Sequence, residues 1–146
     1  MALKENRAEI TWEGNLMEGQ GRLKVDSGAF PELTLTFAAR TEGREKQTNP
    51  EELIAAAHAT CYAMVLANML NQNGTAATRL NVAARSTLDR VEGGLKITAM
   101  QLTVRGNVPN LNAADFERIA AEGEQKCPVS NALRGNVEIT VDASLA

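Results

Sequence analysis

The sequence of 146 residues predicts an α+β fold in a single domain covering 1–146. Three observations carry that expectation. Short runs near the N-terminus alternate apolar and polar residues, a long apolar helix with marked ends runs from Asn49 to Gly74, and a second capped helix lies between strands.

In chain order, Ala8, Ile10 and Trp12 alternate with Glu9, Thr11 and Glu13. Leu23 and Val25 alternate after Gly19-Gln20-Gly21, and Leu33, Leu35 and Phe37 do so after Pro31. These runs predict an antiparallel meander with one wet face. The segment from Ala39 to Thr48 is polar, charged and glycine-containing, and it is expected to be a loop carrying Arg40 and Arg44. In the central helix Asn49 suits the N-cap, Pro50 the first helical position and Glu52 the third. Glu51 and Glu52 face the positive end of the helix dipole, and Asn73-Gly74 supplies a left-handed terminus. Between the ends, Leu53 to Leu70 is apolar on nearly every face, so the helix is expected to be buried all round.

Two longer strands follow, near Thr78–Val91 and Leu95–Val108, joined by Glu92-Gly93-Gly94. The apolar phase shifts from Leu95, Ile97 and Ala99 to Met100, Leu102 and Val104, which predicts a bulge. A second helix starts at Asn112, with a Leu111/Phe116 staple and Asp115 at the third helical position, and runs to about Lys126. Cys127 precedes Pro128 and so avoids the helical region. It is placed at a joint, at or beside the N-cap of a short helix ending at Gly135. Val137, Ile139 and Val141 form a last strand, and Asp142–Ala146 reads as a tail.

Composition excludes several classes. With 15 basic against 18 acidic residues and no basic cluster or aromatic platform, nucleic acid is not an expected partner. The central helix contains six alanines, a histidine and an asparagine, too weakly apolar for a membrane span. The first residues show no apolar export segment, which predicts a cytoplasmic, reducing location. One Trp, one Tyr and three Phe must serve the whole core, and this scarcity hints at burial shared with a second subunit.

Cys61 and Cys127 form neither a CxxC redox pair nor a spaced zinc motif. They could be inert residues that fill space, since free cysteine is among the most buried residue types. Local chemistry argues otherwise. Cys127 lies where helix N–H groups could stabilise a thiolate, whereas Cys61, three turns into an apolar helix, stays a neutral thiol unless a cation reaches it.

NPEELIAAAHATCYAM around Cys61 and CPVSNAL at Cys127 resemble the family of osmotically inducible protein C and organic hydroperoxide resistance protein (OsmC/Ohr). The similarity extends over nearly the whole chain, from AEITWEG at Ala8–Gly14 through RTEG at Arg40–Gly43 to the last strand. His58 and Pro-Val-Ser after Cys127 are closer to the OsmC branch. The resemblance implies an OsmC-like fold, with antiparallel sheets wrapped around two central cysteine-bearing helices in an intertwined homodimer. It also implies a thiol peroxidase needing no metal, haem or flavin. Cys61 would attack an organic hydroperoxide and become a sulfenic acid, and Cys127 would condense with it to a disulfide. A dithiol, such as a lipoylated protein, would restore both thiols. The family's arginine and glutamate fall on Arg40 and Glu51, where a bidentate pair would fix the guanidinium beside the thiolate. Arg44 is a rival for Arg40.

Glu51 also has a plain role at the helix dipole, and ten residues of continuous helix set it about 15 Å from Cys61. His58 stands three residues before Cys61 on the same helical face, where it could pair with the thiol. The simpler reading is a buried imidazole bonded to a carbonyl. Ser130 and Tyr62 read as packing or capping residues. The alternatives to a peroxidase are a zinc site using Cys61, Cys127, His58 and Glu51, a non-catalytic module binding an apolar ligand, and a cysteine-histidine hydrolase.

Overall fold

Alternation at Ala8–Glu13 produces the first strand, β1, in a computed structural model that describes residues 1–146. The chain divides into two units, Met1–Pro50 and Glu51–Ala146. In the first, β1 pairs antiparallel with β2 (Gln20–Val25), and β2 pairs with β3 (Leu33–Leu35), as the meander requires. Gly21 sits opposite Trp12, and a Cβ there would come within 2.7 Å of Ile10 Cδ1 and 3.0 Å of Trp12 Cε3. The glycine therefore lets both side chains fold across β2.

Two expectations for this unit change. No single wet face exists at β1: every residue in it is exposed, with Ile10 at 51% and Trp12 at 39%, so its apolar face has no cover within the chain. The segment after β3 is not simply a loop. Thr36 is extended and its hydroxyl accepts from Ala39 N–H at 3.2 Å, which caps a short helix, α1 (Phe37–Thr41), carrying Arg40 in its last turn.

The second unit is built on α2 (Pro50–Gln72), a continuous helix that ends where Gly74 turns left-handed. The Thr75 N–H reaches the Leu70 carbonyl and the Gly74 N–H reaches Asn71, a Schellman closure. Only one stripe of α2 is buried, formed by Glu51, Ala55, His58, Tyr62, Leu66 and Leu70 at helical spacing. Expected burial on all faces is thus not met within one chain: Met64 on the other side is 68% exposed. By length and composition α2 is long and apolar enough to cross a membrane, contrary to the sequence expectation; its buried stripe packs against the sheet and the next helix, and the rest of it is open in the single chain.

That sheet has the order β4-β5-β6. Strands β4 (Arg79–Val91) and β5 (Gly94–Asn107) form the predicted hairpin. Their register shifts at Thr87/Leu88, leaving Thr98 as the extra residue that moves the inward side from Ile97 to Met100, Leu102 and Val104. Asn112 caps α3 (Ala113–Lys126), accepting from Asp115 N–H at 2.9 Å, and α4 (Pro128–Leu133) follows across the Cys127 joint. The two helices form a crossover, so β6 (Glu138–Leu145) returns parallel to β5. The second sheet is accordingly mixed, not antiparallel throughout, and the residues expected as a tail continue β6 to Leu145.

The core of this unit gathers Tyr62, Leu66 and Leu70 from α2, Leu102 and Val104 from β5, and Phe116, Ile119 and Ala120 from α3, with Cys127 among them. Each large apolar side chain so buried contributes about 1.5–3 kcal/mol. Phe116 depends on a missing side chain: a Cβ on Gly106 of β5 would stand 2.6 Å from its Cζ. Gly106→Ala should therefore overpack the core and lower stability by about 1–3 kcal/mol, read as a fall in the urea midpoint with unchanged slope. A midpoint equal to that of the parent would show that α3 does not rest on β5 in this way.

Candidate active site

Pro128 forces Cys127 out of the helical region, to φ −73° and ψ 119°, so the chain bends there between α3 and α4. The bend is held on both sides. Glu124 at the end of α3, nearly buried, takes a 2.8 Å ion pair from Arg134 at the end of α4, and Asn131 Nδ2 donates to the Gln125 carbonyl at 3.2 Å. Sequence reasoning missed the Glu124–Arg134 pair, because two charges ten positions apart look like ordinary solvated residues.

The bend delivers the fully buried Cys127 to Cys61, which is partly exposed in the middle of α2. The two thiols lie within hydrogen-bonding reach of each other, and both are free. Burial is the main influence on Cys61 and pushes its pKa up, and Cys127 adds to that rise. Opposing them is the backbone N–H of Val129, which lies near the Cys61 sulfur and pulls its pKa down. The α4 terminus therefore serves a different cysteine from the one expected. Cys127 is its N-cap residue but makes no side-chain cap bond, while an N–H of the first turn is turned to Cys61.

His58 is fully buried, and its Nε2 lies 2.7 Å from Ser130 Oγ, also fully buried. The carbonyl partner expected for it is thus replaced by a hydroxyl, and Ser130 is neither a cap nor mere packing. His58 Nδ1 has no hydrogen-bond partner. Burial lowers the His58 pKa, against a smaller opposing pull from Glu124, so the imidazole is neutral near pH 7. Tyr62 is a packing residue as expected, its hydroxyl donating to the Ala120 carbonyl at 2.8 Å and tying α2 to α3.

The other sequence candidates lie apart from the sulfurs along the chain. Glu51 is buried in the first turn of α2, its carbonyl accepting from Ser86 Oγ at 2.9 Å. Because α2 is continuous, the helix rise keeps it about 15 Å from Cys61 along the axis. Arg40 belongs to the first unit, on α1, and neither it nor Glu51 is an unpaired charge. Arg44 is exposed and sits 3.9 Å from Glu42. No three His, Cys, Asp or Glu side chains converge as a metal-ligand set, so Cys61, Cys127, His58 and Glu51 do not assemble the zinc site weighed above. What the geometry can do is dithiol chemistry: two sulfurs in contact can close to a disulfide with little movement.

Comparison with known proteins agrees with the motifs at both cysteines. The family model for OsmC-like protein matches residues 43–142. Peroxiredoxin OsmC of Escherichia coli K12 is 39% identical over 139 residues, covering 95% of each chain. Organic hydroperoxide resistance protein OhrA of Bacillus subtilis is 26% identical over 134 residues, covering 90% of this chain and 88% of its own. Among solved structures, an organic hydroperoxide resistance protein OsmC from Legionella pneumophila superposes with a TM-score of 0.80 at 26% identity, covering 99% of both chains. With its cysteine pair, its mixed sheet and its long central helix, this chain belongs to the OsmC family.

Proposed function

We propose that the protein is a thiol peroxidase that reduces organic hydroperoxides to alcohols in defence against oxidative stress, with residues 1–146 acting as one functional unit. The contact between the Cys61 and Cys127 thiols carries this reading, because sulfurs far apart in sequence have been brought together in a partly apolar setting. Relatives named as a peroxiredoxin and as organic hydroperoxide resistance proteins support it. Cys61, the more accessible sulfur, attacks the distal peroxide oxygen, the O–O bond breaks, and the alcohol leaves as Cys61 becomes a sulfenic acid. Cys127 then attacks that sulfur, an S–S bond forms, and water departs. A dithiol, such as a reduced lipoyl group on a protein, exchanges with the disulfide and regenerates both thiols.

The attacking form is the thiolate, which burial of Cys61 disfavours. Arg40, oriented by Glu51, supplies the compensating positive charge in this reading, with the glutamate given by the same subunit or by its partner. Arg44 is the weaker candidate, since it is exposed and engaged with Glu42. The working form is a homodimer of a soluble, cytoplasmic protein. Only 22% of the apolar window of α2 is buried, and the open faces with Met64, Ile10 and Trp12 need cover that a second copy provides.

Three measurements test the reading. One equivalent of cumene hydroperoxide should remove two hydrogen atoms (two protons and two electrons) from the protein and link Cys61 to Cys127 in the peptide map, whereas Cys127→Ser should stop at a sulfenic acid on Cys61. First oxidation at Cys127 would invert the assigned roles. Arg40→Ala should slow peroxide reduction at pH 7 by about 10- to 1000-fold, the range set by a cation's effect of 1–3 units on a neighbouring acid, with activity recovering as pH rises. If Arg44→Ala gives that profile and Arg40→Ala does not, the activating charge belongs to Arg44. Sedimentation at micromolar concentration should give the mass of two chains; a clean monomer would remove the dimer.

A further inference from the structure

Each cysteine has a buried polar companion three positions away, and the two companions meet. His58 precedes Cys61 by one helical turn on α2, and Ser130 follows Cys127 by one turn on α4. Their side chains join at 2.7 Å, both fully buried, between residues 72 positions apart. We propose that this hydrogen bond is a positioning device for the second chemical step, holding the short helix of the resolving cysteine against the helix of the attacking one. The inference rests on the thiol-peroxidase reading and assigns its residues no contact with substrate.

Two features favour positioning over filling. A buried imidazole is an expensive way to fill space, and this one leaves Nδ1 without a partner. Neutral imidazole carries one proton, and an unpartnered lone pair is cheaper to bury than an unpartnered N–H, so Nε2 donates to Ser130 Oγ and Nδ1 stays bare. The pair is therefore a hydrogen bond between two neutral side chains. The second feature is the way α4 is tied. It has six residues and no side-chain N-cap bond. Arg134 fastens its end to α3, through Glu124, and not to α2. Besides the apolar packing of Val129, its side-chain hydrogen bond to α2 is His58–Ser130, with the Val129 N–H lying near the Cys61 sulfur.

The approach of Val129 to the sulfur is disturbed by the reaction itself. When Cys61 gains an oxygen, the sulfur that lay near the Val129 N–H and faced Cys127 changes size and charge. His58–Ser130 lies one turn away from both sulfurs and is untouched, so it keeps Cys127 in register with its target. The step it serves is balanced within the protein. Cys127 sulfur gives an electron pair to Cys61 sulfur, the Cys61 S–O bond breaks, and the Cys127 thiol proton leaves with that oxygen as water. Slow closure exposes the sulfenic acid to a second peroxide and irreversible conversion to sulfinic acid. A fixed approach of the two sulfurs is the remedy, since orientation accelerates an intramolecular step.

The test separates the two steps by rapid quench and mass spectrometry, following loss of the Cys61 thiol and then appearance of the disulfide, with cumene hydroperoxide as the probe. Ser130→Ala and His58→Phe should each slow disulfide closure about tenfold or more while changing the first step by less than about threefold. Sulfinic acid at Cys61 should accumulate when peroxide is in excess. Ser130→Thr, which keeps the hydroxyl, should restore closure, and the double variant should be no slower than either single one, since both remove the same bond. Equal slowing of both steps, unchanged closure, failure of threonine to rescue, or additive effects in the double variant would each overturn the proposal. A parent protein that forms no disulfide with peroxide would instead remove the peroxidase reading beneath it.

Discussion

A sulfur taken out of water holds its proton, and the surroundings of Cys61 answer to that constraint. Its thiol lies on a helix too apolar to offer a charged neighbour from its own turns, and burial is the largest influence on it. The second unit contributes geometry: a facing thiol from Cys127 and a backbone N–H from Val129. Neither suffices to keep a thiolate, and the facing thiol works against one. The positive charge comes, in the proposed mechanism, from a residue of the first unit.

Geometry of this quality depends on the crossover. β5, α3, α4 and β6 form a parallel connection in which the joint at Cys127–Pro128 is the sharpest feature, and proline fixes it by steric exclusion. The joint could still pivot if its flanking helices moved. Phe116 seated over Gly106 fixes α3 to the sheet, and the Glu124–Arg134 pair fixes α4 to α3. An ion pair with one member this buried contributes little to net stability but is costly to break, which suits a residue whose task is location.

Much of this was legible because the signals were local. Asn112 before α3, Pro50 opening α2, Gly74 closing it and the phase shift near Thr98 each follow from the conformational range of one or two residues. The two cysteines were legible through their motifs. What escaped notice depends on partners distant in sequence or on burial, neither of which periodicity records. Thr36 looked like strand, yet its hydroxyl starts α1. β6 runs on through Asp142 and Ser144 because β5 offers it parallel hydrogen bonds to Leu145. The Val129 N–H could not be foreseen as a neighbour of the Cys61 sulfur, since a backbone group has no residue type to reveal it. In the sequence His58 and Ser130 stand as unrelated residues. Only the fold pairs them.

The apolar helix was expected to be buried on every side, and the chain alone leaves most of it open. Composition explains why. With five aromatic side chains in 146 residues, the chain lacks the bulk to wrap a helix of 23 residues from all directions. Its buried stripe is complete, from Glu51 to Leu70, and the open side carries small residues such as Ala56, Ala57, Thr60 and Ala67 beside Met64. Small residues suit close approach of a second helix better than they suit water. If a second copy does approach there, its arrival removes solvent from α2 at the level of Cys61. Assembly would then strengthen the desolvation that makes the thiol need its cation, and would favour an alkyl peroxide over a hydrated one. On that view oligomeric state and substrate choice are consequences of the same open face.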